Sequence, residues 1–161
     1  MTARTDRVII GLISDTHGML RTSVHNVLEG VDLILHAGDV GGPDILQELR
    51  LIAPVQAVHG NTDASDDPGL PPTIVVSHGG VNIRVTHGHE LGGPTPAKLA
   101  AAYSEQVIVY GHTHRQLITR LGTRLVINPG AAGARRFNLQ PSVARLTIQD
   151  GKAEAELVQL D

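Results

Sequence analysis

Apolar runs that end in short polar segments divide the first part of the chain into alternating strands and helices. Continuous apolar stretches at 8–14, 32–39 and 55–61 are typical of strands buried on both faces. Helical spacing of apolar residues at 19–29, and Pro43 at the start of the next apolar segment, predict the intervening helices. This β-α-β-α-β order predicts a parallel sheet joined by right-handed crossovers.

The pattern changes after a loop rich in proline, glycine and aspartate at 62–72. The elements predicted after it are a hairpin, a helix, a buried strand and two more hairpins, at 73–89, 94–105, 106–112, 115–128 and 142–160. The chain ends in strands alone, so one parallel sheet does not account for it. We predict an α/β fold with two packed mixed β-sheets and helices outside them.

Composition narrows the class of protein. The chain has 161 residues, which suits a single domain over 1–161. Only 2% of its residues are aromatic, so its core must be built from Val, Ile, Leu and Ala. So few aromatic side chains do not indicate a surface on which nucleic-acid bases stack. A net charge of −3 and the lack of a basic stripe give no footprint of a nucleic-acid-binding surface. Without cysteine there are neither disulfides nor thiolate metal sites, and the N-terminus resembles neither a signal peptide nor a membrane span, so we expect a cytoplasmic protein.

Polar side chains collect where the predicted strands end. The chain has nine histidines but only two lysines, and most of these histidines follow apolar runs. Because open α/β sheets bind ligands outside the carboxyl ends of their strands, we expect these side chains to converge. The converging set is Asp15, His17, Asp39, Asn61, His87, His112 and His114.

Each of these segments has an ordinary structural interpretation when taken alone. Ser14 or Asp15 could cap the following helix, and Gly-Asp and Gly-Asn pairs are common turn sequences. The alternate residues His112 and His114 share one face of an extended segment, where a structural role competes with metal binding. The ordered set, with each member at a predicted strand end, favours a metal site.

The chemistry of the set also points to metal ions. Imidazoles, carboxylates and an amide oxygen form a nitrogen and oxygen donor set suited to several divalent cations. Seven donors are too many for one ion with an open position, whereas two ions that share a carboxylate would use them. Such a pair can hold a phosphoryl group for in-line displacement and lower the pKa of a bound water.

The ordered segments resemble the calcineurin-like metallophosphoesterase superfamily. The corresponding blocks here are SDTHG, HAGDV, GNTD, THGH and YGHTH, followed by INPGA at 127–131. The resemblance covers residues from Val8 to about Gly130, and the absence of long insertions is similar to the small single-domain branch of bacterial and archaeal phosphodiesterases. It implies a double β-sandwich flanked by helices, in four layers.

The resemblance implies a ligand for each position of a dinuclear centre. By position, Asp15, His17, Asp39 and His114 would hold one metal, and Asp39, Asn61, His87 and His112 the other, with Asp39 bridging. The implied reaction is in-line attack on phosphorus by a hydroxide that bridges the two metals. Manganese is the first candidate, and nickel, iron, zinc or cobalt also suit the donors.

One position departs from the family pattern. Many members carry a histidine after Gly-Asn, where it contacts phosphate or protonates the leaving group, and here that residue is Thr62. A hydroxyl can hydrogen-bond a phosphoryl oxygen but is a poor acid near neutral pH. The implied catalytic residues are therefore Asp39, Asn61, His87 and Thr62, with slow turnover of alkoxide leaving groups. Asp63 would orient a neighbouring imidazole or backbone group.

Three functions compete at this point. The first is a phosphodiesterase acting on a small or oligomeric phosphodiester, with homo-oligomerisation through the late strand edges left open. The second is a non-catalytic metal-binding scaffold or protein-interaction module of the same fold, as in a retromer subunit, although every ligand position here is filled. The third is a metal-dependent amidohydrolase, for which the chain is shorter than a TIM barrel of about 250 residues.

Overall fold

The chain folds into ten strands and few helices. The computed structural model describes residues 7–136 and 138–161. The strands are β1 (Val8–Ile13), β2 (Leu33–His36), β3 (Val55–Ala57), β4 (Thr73–His78), β5 (Val81–Thr86), β6 (Val107–Val109), β7 (Leu117–Leu121), β8 (Arg124–Asn128), β9 (Ser142–Gln149) and β10 (Lys152–Gln159). The helices are α1 (Ser23–Val27), α2 (Pro43–Leu49) and α3 (Pro96–Ala102), together with a 3₁₀-helix at His89–Leu91. None of these helices has the length and hydropathy of a membrane-spanning segment.

Two five-stranded mixed sheets form the centre of the fold. The first sheet has the order β10-β9-β1-β2-β3, in which β1, β2 and β3 run parallel and β9 pairs antiparallel to β1. The second has the order β4-β5-β6-β8-β7, in which β5, β6 and β8 run parallel. Each sheet thus contains three adjacent parallel strands, and residues that follow the ends of these strands form the candidate site.

Alternation along each strand decides which layer its side chains enter. Ile10 and Leu12 of β1 pack between the two sheets, whereas Ile13 faces the helices on the outer side. In the second sheet Val107 and Val109 point inward, and Ile108 packs against Leu99 of α3 on the opposite face. The α/β fold with two packed sheets between layers of helices is therefore confirmed.

The predicted helices are present but shorter. The helix predicted over 19–29 is reduced to α1 because Gly30 adopts a left-handed φ of 83° just after it, and because residues near Gly18 form a turn. Helix α1 begins at Ser23, so the interpretation of Ser14 or Asp15 as its cap is wrong. The hairpin predicted over 73–89 is also shorter, since β5 ends at Thr86. The 3₁₀-helix begins at His89, the last residue of the predicted range.

Candidate metal centre

The residues that follow the parallel strands leave them in left-handed conformations. Six non-glycine residues in the described part of the chain have a positive φ, and five of them belong to the predicted ligand set. Those five are Asp15 (54°), His17 (48°), Asp39 (54°), His112 (74°) and His114 (63°). L-residues adopt this region at an energetic cost, which clusters at functional sites. The local strain therefore coincides with the predicted site.

Two glycines allow the strand-end loops to approach each other closely. A Cβ atom at Gly60 would collide with the side chain and backbone nitrogen of Asp39, and one at Gly111 would collide with Ser14 and Asp15. Any other residue at either position would push these carboxylates away from their neighbours. Glycine at these two positions therefore allows the carboxylates of Asp39 and Asp15 to lie against the loops that contain Gly60 and Gly111.

Asp15 presents one satisfied and one unsatisfied oxygen. Its Oδ2 accepts hydrogen bonds from the Ser14 hydroxyl (2.7 Å) and from the backbone N–H of His112 (3.1 Å). Its Oδ1 is buried and has no hydrogen-bond partner among the described residues. Burial alone would raise the pKa of Asp15, but interactions with His114 and His17 hold it well below its usual range. A buried, ionised oxygen without a partner is costly unless a cation compensates it.

Three imidazoles surround this oxygen. The Nε2 atoms of His114, His17 and His87 lie 3.4, 3.7 and 3.8 Å from Asp15 Oδ1. The Nε2 atoms of His17 and His114 are themselves only 3.4 Å apart. Nitrogen atoms directed at one carboxylate oxygen from several sides are the donors that a divalent cation accepts.

Asp39 lies between the histidines of two elements. Its Oδ1 accepts the backbone N–H of Thr62 at 2.9 Å. Its Oδ2 lies 3.2 Å from Nε2 of His87 and 3.6 Å from Nε2 of His17. Burial would raise the pKa of Asp39, but the hydrogen bonds from His87 and Thr62 lower it to about 2. The carboxylate is therefore ionised at neutral pH and faces both imidazoles through one oxygen.

The backbone fixes the orientation of His87. Its Nδ1 lies 2.8 Å from the carbonyl oxygen of Ala37, to which it donates, so Nε2 is the atom directed at the carboxylates. The same Nε2 lies 3.0 Å from Oδ1 of Asn61. Burial lowers the pKa of His87, but the interaction with Asp39 and the charge of Asp15 outweigh it and raise the pKa overall.

His112 lies at the edge of the cluster. Its Nδ1 is 3.2 Å from Asn61 Oδ1, and its ring stands nearly perpendicular to that of His87 with a centroid separation of 5.2 Å. The amide oxygen of Asn61 thus lies between two imidazoles, which places the amide in the same cluster. The structure therefore brings all seven predicted ligand residues to one site.

The donors fit divalent cations in two overlapping groups. One group contains ligand atoms of Asp15, His17 and His114, and the other contains those of Asp15, Asp39 and His87, with the atoms of each group within 4.8 Å of one another. Asp15 belongs to both groups, and its unsatisfied Oδ1 faces histidines of each. Asp39 belongs to the second group alone, although its Oδ2 also lies 3.6 Å from Nε2 of His17 in the first. The family pattern implies that Asp39 bridges the two ions, whereas the carboxylate shared by both groups is that of Asp15.

Carboxylates outside the predicted ligand set hold the ligand loops. The carboxylate of Asp63, expected to orient a neighbouring imidazole or backbone group, accepts the backbone N–H groups of Val40, Gly41 and Gly60 at 2.9–3.1 Å. It thereby joins the loop after β2 to the loop after β3. Asp63 followed Gly-Asn-Thr in a recognisable block, which is the signal that identified it.

Glu90 performs a similar task beside His87. Its carboxylate accepts hydrogen bonds from the Thr86 hydroxyl and the Tyr103 hydroxyl, both at 2.6 Å, and from the Gly88 N–H at 3.2 Å. Both neighbours of His87 in the chain are therefore held by one carboxylate. No periodic or motif signal in the sequence distinguishes Glu90 from an exposed helical glutamate, so sequence reasoning missed it.

Four of the five remaining histidines separate into three kinds, and the fifth, His78, ends β4. His36 is fully buried, accepts the Gly38 N–H on Nδ1 and donates from Nε2 to the Thr16 hydroxyl, so it supports the site without facing it. His25 is bonded to Glu48 on the surface. His59 and His89 lie beside the cluster: the ring of His89 is 5.4 Å from that of His87 and 6.0 Å from that of His59.

Comparison with known sequences gives consistent results. The sequence profile of the calcineurin-like phosphoesterase superfamily domain matches residues 8–151. A "probable metallophosphoesterase" of Methanothermobacter thermautotrophicus is 34% identical over 160 residues, which cover 94% of this chain and 92% of the relative. A phosphodiesterase of Methanocaldococcus jannaschii is 28% identical over 139 residues, which cover 75% of this chain and 82% of that protein.

Comparison with solved structures supports the same fold. The vacuolar protein sorting 29 protein of Cryptosporidium parvum superposes with a TM-score of 0.79, over 96% of this chain and 98% of the other, at 22% sequence identity. Identity at this level concerns the shared fold alone.

Proposed function

This chain belongs to the calcineurin-like phosphoesterase superfamily, and we propose that it is a phosphodiesterase that hydrolyses its substrate with two bound divalent cations. The observation that carries the proposal is the buried Oδ1 of Asp15, which faces three imidazole nitrogens and has no hydrogen-bond partner in the described chain. A cation pair is the simplest means of compensating this arrangement. Relatives named as metallophosphoesterase and phosphodiesterase give independent support.

Seven side chains would hold the two ions. His17 and His114 would serve one ion, and His87, Asn61 and His112 the other, with Asp15 and Asp39 between them. When bound, the ions would supply a hydroxide nucleophile at neutral pH and neutralise charge on the phosphoryl oxygens. We keep manganese as the first candidate, and the nitrogen and oxygen donors suit nickel, iron, zinc and cobalt as well.

Hydrogen bonds from the backbone orient the side chains that would bind the ions. The Ala37 carbonyl keeps Nδ1 of His87 protonated, so that its Nε2 stays available to the site. Thr62 is exposed beside the cluster, and its backbone N–H holds Asp39. The hydroxyl of Thr62 is suited to hydrogen-bond a phosphoryl oxygen but not to protonate an alkoxide, so we propose a preference for leaving groups that depart as stable anions, such as phenolates.

A scaffold function is the second candidate. The similarity to vacuolar protein sorting 29 in fold favours it. The retention of every ligand side chain favours the enzyme, because hydrolysis requires the complete set, whereas a scaffold could lose members of it and keep its function. Hydrolytic activity that depends on metal distinguishes the two.

The test is hydrolysis of bis(p-nitrophenyl) phosphate by chelator-treated protein before and after restoring Mn²⁺. We expect no activity in the treated protein and activity after restoration, with a lower rate on p-nitrophenyl phosphate. A protein that binds Mn²⁺ stoichiometrically but hydrolyses neither ester would favour the scaffold.

A further inference from the structure

A cavity of about 610 Å³ opens beside the candidate metal centre. Thr62 lines this cavity, and its backbone N–H is bonded to Asp39 of the centre. Asp63, which ties together the loops after β2 and β3, lines it as well. The cavity therefore shares a wall with the cluster, and its size suits a small organic group.

One face of α2 and one segment of the following loop form the walls. Pro43, Leu46 and Arg50 lie three and four residues apart, so the same side of α2 faces the cavity. Leu46 and Leu70 are each 8% exposed and provide an apolar floor that belongs to the core. The loop contributes Ala64 and Asp67 at the mouth of the cavity.

Arg50 is the single cation in this lining. Its side chain is exposed. Among the described residues, the one salt bridge between an arginine and a side-chain carboxylate joins Arg84 and Glu105, so Arg50 forms none. A guanidinium is planar and weakly hydrated, and it stacks on flat unsaturated groups. No aromatic side chain of the described chain lines the cavity, and the cation–π contact found in that part of the chain joins Arg84 and Tyr103, so no ring of the described chain stacks on Arg50.

The carboxylates in the lining disfavour a second phosphate. Asp63 already accepts three backbone N–H groups, and Asp67 accepts the N–H of Gly69 at 2.8 Å. Two carboxylates against one guanidinium make the lining net negative. An uncharged planar group fits this combination of an apolar floor, a guanidinium face and two carboxylates better than a polyanion does.

From this combination we propose that the cavity binds a planar, uncharged organic arm of the phosphoester substrate, such as an aromatic ring or a nucleobase, while its phosphoryl group lies at the metal centre. The inference rests on the proposed function for the position of the phosphoryl group. It adds a substrate class: esters with one flat arm are bound in preference to esters with small alkyl arms. Arg50 and Ala64 become the residues that determine this preference.

Binding of phosphonates to the Mn²⁺-loaded protein tests the inference without turnover. Methylphosphonate, cyclohexylphosphonate and phenylphosphonate share a phosphoryl group, carry one arm each and are stable to hydrolysis. By calorimetric titration we expect phenylphosphonate to bind about tenfold more tightly than methylphosphonate and about threefold more tightly than cyclohexylphosphonate.

Variants locate the preference in this cavity. Ala64→Trp places an indole at the exposed mouth and should abolish the phenyl preference while methylphosphonate affinity stays unchanged. Ser65→Trp, on the same loop but outside the lining, is the matched control and should retain it. Arg50→Ala should abolish the preference for phenyl over cyclohexyl. Arg115→Ala, in a separate cavity of about 440 Å³ that also borders Thr113, should not.

Equal affinities for phenyl and methyl phosphonates in the wild-type protein would overturn the inference. So would a preference that persists in Ala64→Trp or is lost in Ser65→Trp or Arg115→Ala. Hydrolysis of bis(p-nitrophenyl) phosphate, measured on the same preparation, keeps the two proposals apart. A protein that hydrolyses this ester but lacks the phenyl preference retains the proposed function and loses the cavity assignment.

Discussion

His87 and Asp39 meet across the two sheets, with Nε2 of the histidine 3.2 Å from Oδ2 of the aspartate. The aspartate follows β2 in the first sheet, and the histidine follows β5 in the second. The site is therefore complete only when the two sheets pack on each other.

Replacement of Asp39 tests the shared carboxylate. Asp39→Ala removes the oxygen that faces both His17 and His87, so we expect metal-dependent hydrolysis to fall by at least about a hundredfold. Initial rates on bis(p-nitrophenyl) phosphate measure this loss. His25→Ala is the control, because His25 is bonded to Glu48 on the surface, and its rate should equal that of the wild type. Equal rates for Asp39→Ala and wild type would contradict the enzymatic function.

Replacement of Thr62 tests the missing proton donor. Thr62→His restores an imidazole where many family members have one, so we expect a larger gain on alkyl esters than on p-nitrophenyl esters. The ratio of kcat values for a p-nitrophenyl ester and an alkyl ester of the same phosphate measures the gain. If this ratio does not change, proton donation from this position does not limit the reaction.

Replacement of Glu90 tests the support of His87. Glu90→Ala leaves the Thr86 hydroxyl and the Gly88 N–H without their acceptor, which frees the residues on either side of His87. Loss of such outer support costs about 10–100-fold in metal affinity, and we expect a rise in the Mn²⁺ dissociation constant of this size. Glu29→Ala, an exposed position, is the matched control. A dissociation constant unchanged in Glu90→Ala would show that the 3₁₀ segment holds His87 without this carboxylate.

The burial of His36 should make the free energy of unfolding depend on pH. Complete burial lowers its pKa from 6.5 to about 4, although the nearby carboxylates of Asp15 and Asp63 partly oppose the shift. Between these values the unfolded chain binds a proton that the folded protein excludes, so the free energy of unfolding decreases as the pH falls from 6.5 toward 4, by up to about 3 kcal/mol from this residue.

The His36→Gln variant isolates this contribution. Glutamine keeps a donor and an acceptor for Thr16 and Gly38 but does not titrate in this range. Urea unfolding of chelator-treated protein at pH 7 and pH 5 should show a smaller decrease in the variant than in the wild type. Parallel decreases would assign the pH dependence to other groups.

The order of apolar runs was sufficient to predict the two sheets and the strand ends at which the ligands lie. The hairpins at 73–89 and 142–160 were predicted because the residues between their strands, Gly79-Gly80 and Asp150-Gly151, are specific turn residues. Helix lengths were not predictable, because glycine positions such as Gly30 end helices whose apolar spacing continues.

The candidate ligands were predictable because each follows a buried strand, whereas the membership of Asp15 in both groups was not. The place of Asp15 in both groups depends on which of its oxygens Ser14 and the His112 N–H satisfy, a matter of three-dimensional contact. The same holds for Glu90 and for the cavity beside Thr62, which arise from loops brought together by folding.

The number of Mn²⁺ ions bound per chain, measured by equilibrium dialysis with elemental analysis, tests the central claim most directly. We predict two ions per wild-type chain at saturation, and a loss of at least one in Asp39→Ala. A correctly folded wild-type chain that takes up no divalent transition ion, whether Mn²⁺, Ni²⁺, Fe²⁺, Zn²⁺ or Co²⁺, would contradict it.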